Sequence, residues 1–204
     1  MLADLAVRDL LAAFSSKEPT PGGGSASALA SAVGASLLMM VAALPKTRAN
    51  TDDERAALAA AGMVLADLRE RLTTAIDADS DAYDQVVAAY RRPKADEGEQ
   101  AARQAAIQDA MRGAIDVPLS VLRFSAAALD QAVIVATHGH RAAVSDVGVA
   151  VALLRAGARG ARLNVAINTG SVTDRGYADA VAAEVSTWSG EIARAADAAD
   201  ALLL

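Results

Sequence analysis

The sequence predicts an all-α protein, an antiparallel bundle of five to six helices, and three observations favour this class. Aromatic residues make up only 3% of the 204 residues and hydrophobic residues 53%, so the core must be built from Ala, Leu and Val. Such a composition favours close-packed helices over a sheet, which draws on β-branched and aromatic residues. No stretch shows the sustained alternation of apolar and polar residues that is typical of strands. The length fits one domain, residues 1–204.

The first element is an amphipathic helix over Leu2–Phe14, which we expect to lie against the bundle. An uncharged run from Ala26 to Leu44 follows the segment Thr20-Pro21-Gly22-Gly23-Gly24-Ser25. The prolines bias this segment away from helix, and its glycines open conformations that other residues avoid. We predict that Ser25 caps a central helix and that the glycine loop forms part of a ligand site.

The central run is long enough to span a bilayer, so a membrane helix is the alternative. Its first half consists of Ala, Ser and Gly rather than Leu and Ile, and neither Trp nor Tyr flanks it. These features favour a buried helix of a soluble protein.

Four further helices follow from their apolar spacing and their start and stop residues. The four predicted ranges are Thr51–Tyr90, Gln100–Thr137, Ser145–Thr169 and Asp174–Leu204. The helix over Gln100–Thr137 is expected to be kinked or restarted at Pro118, because proline removes one backbone hydrogen bond. Two nearly uncharged helices in so small a bundle suggest that a second subunit covers one of them, so we expect a homodimer.

Charge and composition exclude several classes of function. A net charge of −6 argues against nucleic acid as a partner, since phosphate binding needs a basic surface. The absence of cysteine excludes disulfides and thiolate catalysis. The acidic N-terminal segment does not resemble a signal peptide, so we expect a cytoplasmic protein. His138 and His140 lack a third ligand, and the glycine loop lacks the Lys-Ser/Thr pair of a P-loop, so we expect no metal site and no nucleotide site there.

Asp79 is the most informative polar residue. Leu65, Leu72, Asp79 and Val86 follow one another at steps of seven, so Asp79 shares a helix face with apolar residues. A carboxylate there costs several kcal/mol unless it is paired, hydrogen-bonded or neutral, and such groups often serve as acids or bases. The structural alternative is a buried Asp that caps a neighbouring helix or meets an arginine. The nearby acids Asp77, Asp81 and Asp84 are expected to face solvent.

The predicted helix over Ser145–Thr169 repeats this pattern. Asp146, Asn164 and Asn168 share a face with Gly157 and Gly160. Glycine inside a helix lowers its stability by about 1 kcal/mol relative to alanine. Two glycines on one face therefore imply that another group approaches this face closely. Either a ligand or a neighbouring helix satisfies the pattern, with the amides binding the ligand or tying the bundle together.

Several segments in this order and spacing resemble one known family. They are Thr20-Pro21-Gly22-Gly23-Gly24-Ser25, Asp79-Ser80-Asp81-Ala82-Tyr83, Val117-Pro118-Leu119, Ser145-Asp146 and Asn164-Val165-Ala166-Ile167-Asn168. Together they resemble the formiminotetrahydrofolate cyclodeaminase and methenyltetrahydrofolate cyclohydrolase family over essentially the whole chain. His138-Gly139-His140 departs from the Gly-Asn turn usual in that family.

The resemblance implies an all-helical homodimer that binds a tetrahydrofolate one-carbon derivative, without a metal or redox cofactor. Either reaction of the family needs a group that transfers protons and that places a negative charge near a cationic centre. The resemblance makes Asp79 the first candidate for that group, Asp146 the second, and Lys46 a third contributor that meets anionic or polar atoms of the folate. It implies backbone and amide hydrogen bonds to the substrate from Thr20, Gly22, Gly23, Gly24, Ser25, Asn164 and Asn168.

Two reactions and one alternative class remain open at this stage. The enzyme either hydrolyses methenyltetrahydrofolate to formyltetrahydrofolate, or forms the methenyl compound from formiminotetrahydrofolate with release of ammonia. A chain without a formiminotransferase domain favours the cyclohydrolase. The alternative from another class is a non-catalytic helical dimerisation or interaction module, since a helical bundle does not dictate a function.

Overall fold

The computed structural model describes residues 1–203 and confirms the all-α prediction. It contains six α-helices and two short 3-10 turns, Leu2–Asp4 and Arg141–Ala143, with no strand in the described range. The helices are α1 (Val7–Phe14), α2 (Gly23–Ala43), α3 (Asp52–Tyr90), α4 (Glu97–His138), α5 (Val144–Thr169) and α6 (Arg175–Asp200).

The central helix of the bundle is α2, as predicted. It packs mainly against α3 and α5 and more lightly against α4, while α6 covers α4 and α5 from the other side. Its two main neighbours run antiparallel to it. Ser25 near its start meets Ile76 of α3, and Ala42 near its end meets Gly62 of α3. Likewise Ser27 lies against Gly160 of α5, and Gly34 further along lies against Ala150. The core between these helices is filled by leucine, isoleucine, valine and alanine, with Leu38, Leu65, Leu72, Ile115, Leu122, Leu129 and Leu154 fully buried.

Small residues let α2 and α5 approach closely. A Cβ atom on Gly157 would lie 2.0 Å from the Ser31 hydroxyl, and one on Gly160 would lie 2.1 Å from the Ser27 hydroxyl. Neither position has room for a side chain, so these two glycines serve helix packing. Of the two explanations that the sequence left open for the α5 glycines, contact with a neighbouring helix is the one observed.

Side-chain caps fix the starts of three helices, α3, α4 and α6. Thr51 caps α3 in a capping box with Glu54, and Asp174 caps α6. The side chain of Asp96 accepts from the Glu99 N–H, so α4 begins three residues earlier than predicted. Of the two alternatives expected at Pro118, a kink or a restart, the restart is not observed, since the helix continues through this buried proline. The predicted last helix ends at Asp200, and its final residue, Leu204, lies outside the described residues.

The N-terminal segment differs from the prediction. The helix expected over Leu2–Phe14 is divided, because Leu5 is extended between the first 3-10 turn and α1. The carboxylate of Asp77 accepts hydrogen bonds from the backbone N–H groups of Leu2 and Ala3 and so holds the turn against α3. This acid therefore has a structural role, although the sequence placed it facing solvent. Leu10 is the one buried residue of α1, so this helix lies against the bundle only along a narrow edge.

Two helices, α2 and α4, are long and apolar enough by composition to cross a bilayer. About half of the most apolar part of each is buried inside the bundle. A core helix of a globular protein meets the same criterion of length and composition.

Candidate active site

A cavity of about 340 Å³ lies at the end of the bundle where α2 begins and α5 ends. Four helices and the glycine loop contribute to it, so residues far apart in sequence meet there. Its lining consists of Pro19, Thr20, Gly22, Gly23, Gly24, Asp79, Tyr83, Val86, Met111, Ala114, Asn164 and Asn168. Six of the seven residues that the resemblance assigned to substrate binding are in this lining, together with Asp79.

Asp79 is held in place by Ser25. The backbone N–H of Ser25 donates to Oδ2 of Asp79 at 2.9 Å, and the Ser25 hydroxyl lies 3.2 Å from the same oxygen. That hydroxyl also lies 2.8 Å from the carbonyl oxygen of Ile76. Having one proton, it donates to one of these acceptors at a time. The second carboxylate oxygen of Asp79 has no donor among the described residues and remains available at the cavity.

Ser25 itself is fully buried and is absent from the cavity lining. The expectation that it binds substrate is therefore not met, because its hydroxyl points into the α2–α3 contact. It does not cap α2 either: the helix begins at Gly23 and its N-cap is Gly22. Ser25 lies within the first turn of α2, where its N–H has no partner in its own helix and is free to bind a carboxylate.

One glycine of the loop segment, Gly24, is needed for space. Among the described residues no glycine has a positive φ, so the expectation of unusual glycine conformations is wrong. Gly24 is required because a Cβ atom there would lie 1.9 Å from Oδ1 of Asp79. At Gly22 and Gly23 a Cβ atom would make ordinary contacts, the closest at 3.8 Å and 3.6 Å.

Two opposing effects set the proton affinity of Asp79. Burial raises the pKa of its carboxyl above the ordinary value, and the hydrogen bonds from Ser25 act in the other direction, lowering it. The start of α2 adds the positive end of a helix dipole beside the carboxylate. None of the ion pairs within residues 1–203 includes Asp79. The cavity thus contains a carboxylate without a cationic partner from its own chain.

Two amides of α5 face this carboxylate across the cavity. The Nδ2 group of Asn164 donates to the Gly160 carbonyl of its own helix at 2.9 Å. The Nδ2 group of Asn168 donates to the Ala114 carbonyl of α4 at 2.7 Å and so connects two helices. Each bond orients an amide whose oxygen and second N–H are available to a ligand.

Asp146 and Lys46 are not brought to this cavity in the same chain. Because α5 runs antiparallel to α2, the end of α5 lies at the cavity and its start lies at the opposite end of the bundle. Asp146, near that start, is about 27 Å along the helix from Asn164, at 1.5 Å per residue. Lys46 is an exposed residue just beyond the other end of α2. The expectation that these two residues share one site with Asp79 is therefore not met within a single chain.

The apolar part of the lining was not predicted from the sequence to belong to the site. Val86 was expected only on the apolar face of α3, and Tyr83 only within the segment that carries the resemblance; they lie two turns and one turn after Asp79. Met111 and Ala114 belong to α4 and lie in no motif, so only the packing of α3 against α4 places them at the cavity. Within residues 1–203 no group of three or more His, Asp or Glu side chains is arranged to hold a metal ion.

Comparison with known proteins assigns the chain to a family. A sequence profile described as formiminotransferase-cyclodeaminase matches residues 6–187, a range that includes every residue of the cavity. The methenyltetrahydrofolate cyclohydrolase of Methylorubrum extorquens is 39% identical over 179 residues, which cover 88% of this chain and 86% of that protein. The chain belongs to the formiminotransferase-cyclodeaminase family. The resemblance drawn from the sequence motifs is thereby confirmed.

Two further comparisons give a larger relative and a protein of the same fold. The formimidoyltransferase-cyclodeaminase of Sus scrofa is 30% identical over 181 residues, which cover 89% of this chain and 34% of that protein. The crystal structure of formiminotetrahydrofolate cyclodeaminase from Thermotoga maritima has a TM-score of 0.88 and 22% identity, with coverage of 100% of this chain and 98% of that one. At that level of identity the likeness shows that the two proteins share the helical fold.

Proposed function

We propose that this chain is a folate one-carbon enzyme that interconverts methenyltetrahydrofolate with its ring-opened form, and that hydrolysis to formyltetrahydrofolate is its main reaction. The observation that supports this most directly is the Asp79 carboxylate, which lines a cavity without a cation from its own chain. The proposed substrate supplies a cation, since the methenyl carbon bridges two nitrogens that share one positive charge. Opposite charges attract strongly in a partly buried site, so the pair is favourable for binding.

The same carboxylate is suited to move the protons of the reaction. Water adds to the methenyl carbon through its oxygen, and Asp79 takes one of its protons. The adduct is then neutral. One carbon–nitrogen bond breaks, and the leaving nitrogen receives the proton from Asp79. The hydroxyl oxygen loses its proton to solvent as the formyl carbonyl forms, so one proton is released in total. Burial raises the pKa of Asp79, which makes it a better base than an ordinary exposed aspartate.

The rest of the cavity orients a flat ligand. Asn164 and Asn168 supply amide donors and acceptors on one side, and the backbone of Gly22 to Gly24 lies on another. Tyr83 and Met111 give an apolar wall. A few polar groups on a mainly apolar lining are typical of sites for small organic molecules. A volume of about 340 Å³ suits the reacting ring system better than the whole folate, so we expect the tail to extend out of the cavity.

Cyclohydrolase activity is favoured over cyclodeaminase activity by the comparisons. The Methylorubrum extorquens cyclohydrolase is 39% identical and matches over 86% of its length. The Sus scrofa formimidoyltransferase-cyclodeaminase is 30% identical and matches over 34% of its length. The proposed reaction needs neither a metal nor a redox cofactor, because the methenyl carbon is already electrophilic through its positive charge. We further propose that the protein is cytoplasmic and that it acts as a homodimer.

An ultraviolet assay that follows the methenyl chromophore separates the two reactions. The proposal predicts loss of absorbance when the protein is added to methenyltetrahydrofolate. Growth of absorbance from formiminotetrahydrofolate alone, with ammonia released, would instead identify a cyclodeaminase. No change with either compound, and no rise in melting temperature with folates, would indicate a non-catalytic interaction module.

A further inference from the structure

The outward face of α2 carries an apolar stripe that no residue among 1–203 covers. Ala26, Val33 and Met40 are exposed at steps of seven residues, and the larger two are 42% and 40% exposed. Ala30 and Leu37 lie between them and are half-buried. Steps of seven keep side chains on nearly one line along a helix of this length. The 21 residues of α2 include no charged side chain, so nothing on this helix repels an identical helix.

Lys46 lies beyond one end of this stripe in a strained conformation. Its φ is +61°, and it is the one non-glycine residue in the described range with a positive φ. Residues other than glycine rarely adopt this backbone conformation, and those that do are concentrated at functional sites. The Lys46 side chain is exposed, and no ion pair within residues 1–203 involves it.

The other end of the stripe leads to the cavity, where the complementary charge lies. Thr20 and Gly23 line the cavity beside Asp79, which lacks a cation from its own chain. Lys46 thus lies beyond one end of α2, and the Asp79 carboxylate of α3 lies beside the other end, separated by the length of a 21-residue helix, about 31 Å. A single chain cannot join them, but a second copy placed antiparallel along α2 would.

We propose that two copies of this chain pack their α2 stripes antiparallel about a two-fold axis near Val33, and that Lys46 of the partner subunit completes the cavity around Asp79. Positions equally distant from Val33 on either side then face each other. Ala26 faces the partner's Met40, a small residue opposite a large one. Thr20 faces the partner's Lys46, which brings the ammonium to the mouth of the cavity. Packing of identical surfaces about a two-fold axis is the commonest arrangement in homo-oligomers.

The lysine would act on the substrate through its charge, a role that rests on the proposed function. An ammonium at the cavity mouth can donate a hydrogen bond to the oxygen that adds to the one-carbon unit. It also balances the Asp79 carboxylate that re-forms when Asp79 gives its proton to the leaving nitrogen and the folate no longer carries a positive charge. Each site would then need residues from both subunits, which accounts for the distance between Lys46 and Asp79 in one chain.

Disulfide cross-linking tests the interface directly. The sequence contains no cysteine, so Val33→Cys introduces one thiol per chain, and a residue on a two-fold axis faces its own copy. Mild oxidation should give a covalent dimer, since disulfides need Cα atoms within about 7 Å. Ser186→Cys places an exposed thiol on α6 as a matched control. Equal cross-linking of the two variants, or none at position 33, would contradict the proposed interface.

Mixing two inactive variants tests whether the site is shared. Lys46→Gln removes the charge, keeps most of the side-chain length and leaves a polar group at its end, and Asp79→Asn removes the carboxylate. Each homodimer should lose activity about a hundredfold, as when one charged group is removed from a catalytic site. In a mixed dimer one site combines Asp79 of one chain with Lys46 of the other, so it is intact. An equal mixture should regain about a quarter of wild-type activity, since half of the dimers are mixed and each has one intact site.

The outcomes separate the shared site from the proposed function. Wild-type protein is assayed first, and its failure to act on methenyltetrahydrofolate or formiminotetrahydrofolate would overturn the proposed function. With active wild-type protein, an inactive mixture whose mixed dimers are confirmed by two affinity tags would overturn the shared site. Full activity of Lys46→Gln would overturn it as well. Melting curves of both variants exclude unfolding as the cause of a loss.

Discussion

A Cβ atom on Gly24 would lie 1.9 Å from Oδ1 of Asp79, so the start of α2 and the carboxylate of α3 touch with no room for a side chain between them. This contact fixes Asp79 beside the first turn of α2, where the Ser25 N–H donates to it at 2.9 Å. The carboxylate is thereby partly buried and aimed into the cavity. The glycine loop and the apolar stripe of α3 therefore contribute to one site.

Gly24→Ala should displace Asp79 and remove activity while the bundle still folds. The added methyl group overlaps the carboxylate, which must rotate or move away from the cavity. A displacement of about 1 Å in a positioned catalytic group can cost about a hundredfold in rate. Steady-state kinetics on the methenyl substrate, with circular dichroism to confirm the helices, measure the effect.

Gly62→Ala is the matched control for that substitution. A Cβ atom at Gly62 would meet the Cβ of Ala42 at 3.8 Å, an ordinary contact, and the position is far from the cavity. Activity should be unchanged and the helix slightly more stable, by up to about 1 kcal/mol. Similar activity in the two variants would show that the Gly24–Asp79 contact does not matter for catalysis.

Asp79→Asn should raise the stability of the protein near neutral pH while it removes activity. Burial raises the pKa of Asp79 in the folded state, so the folded protein binds this proton more tightly than the unfolded chain does. Its contribution to stability is favourable below the ordinary pKa of aspartate and is lost as the pH rises through the raised pKa. The advantage of the Asn variant should therefore grow from acidic to neutral pH.

Urea unfolding of both proteins across this pH range measures that difference. An Asn variant that is less stable at neutral pH, or a difference that does not change with pH, would contradict a raised pKa for Asp79. A gain in stability with a loss of activity is the usual exchange at a functional site.

Ser25→Ala should shift the acidic limb of the kcat/KM profile to higher pH. The Ser25 hydroxyl lowers the pKa of Asp79, and its removal lets burial raise that pKa further. The ionised base is then lost at a higher pH, and kcat/KM on the acidic side should fall about tenfold, the value of a hydrogen bond to a charged group. Ser36→Ala is the control, since that hydroxyl bonds to the Ala32 carbonyl of its own helix. An unchanged Ser25→Ala profile would argue against Asp79 as the base.

Asn168→Ala and Asn164→Ala should differ in stability. The Asn168 side chain connects α5 to the Ala114 carbonyl of α4, whereas Asn164 bonds within its own helix. Loss of Asn168 should destabilise the fold by about 1 kcal/mol, and loss of Asn164 by less. Both variants should raise KM, because both amides line the cavity. Melting temperatures that fall equally, with unchanged KM, would contradict these separate roles.

The sequence was most informative where a local pattern decides the structure. The seven-residue steps through Leu65 and Leu72 placed Asp79 on a buried face, and the structure has it there in part. The start of α3 and the ends of α2 and α5 were also predicted to within two residues. These features depend on residues a few positions apart, which is the range over which helical spacing and capping act.

Contacts between distant segments could not be predicted in this way. The bond between Asp77 and the Leu2 N–H joins residues 75 positions apart, and no local pattern marks it. That the Ser25 side chain points into the contact with α3 could be predicted only with knowledge of which helix lies beside α2. The same holds for the far position of Lys46 and Asp146, which follows from the antiparallel order of α2 and α5. Spacing identifies a face of a helix, and only packing identifies its neighbour.

The most direct test of the proposed activity is the decay of methenyl absorbance with wild-type protein and with Asp79→Asn at equal concentration. We predict rapid loss of absorbance with the wild type, and with the variant a rate about a hundredfold lower, although the variant is at least as stable at neutral pH. A folded Asp79→Asn protein that hydrolyses the substrate at the wild-type rate would contradict the central role of this carboxylate.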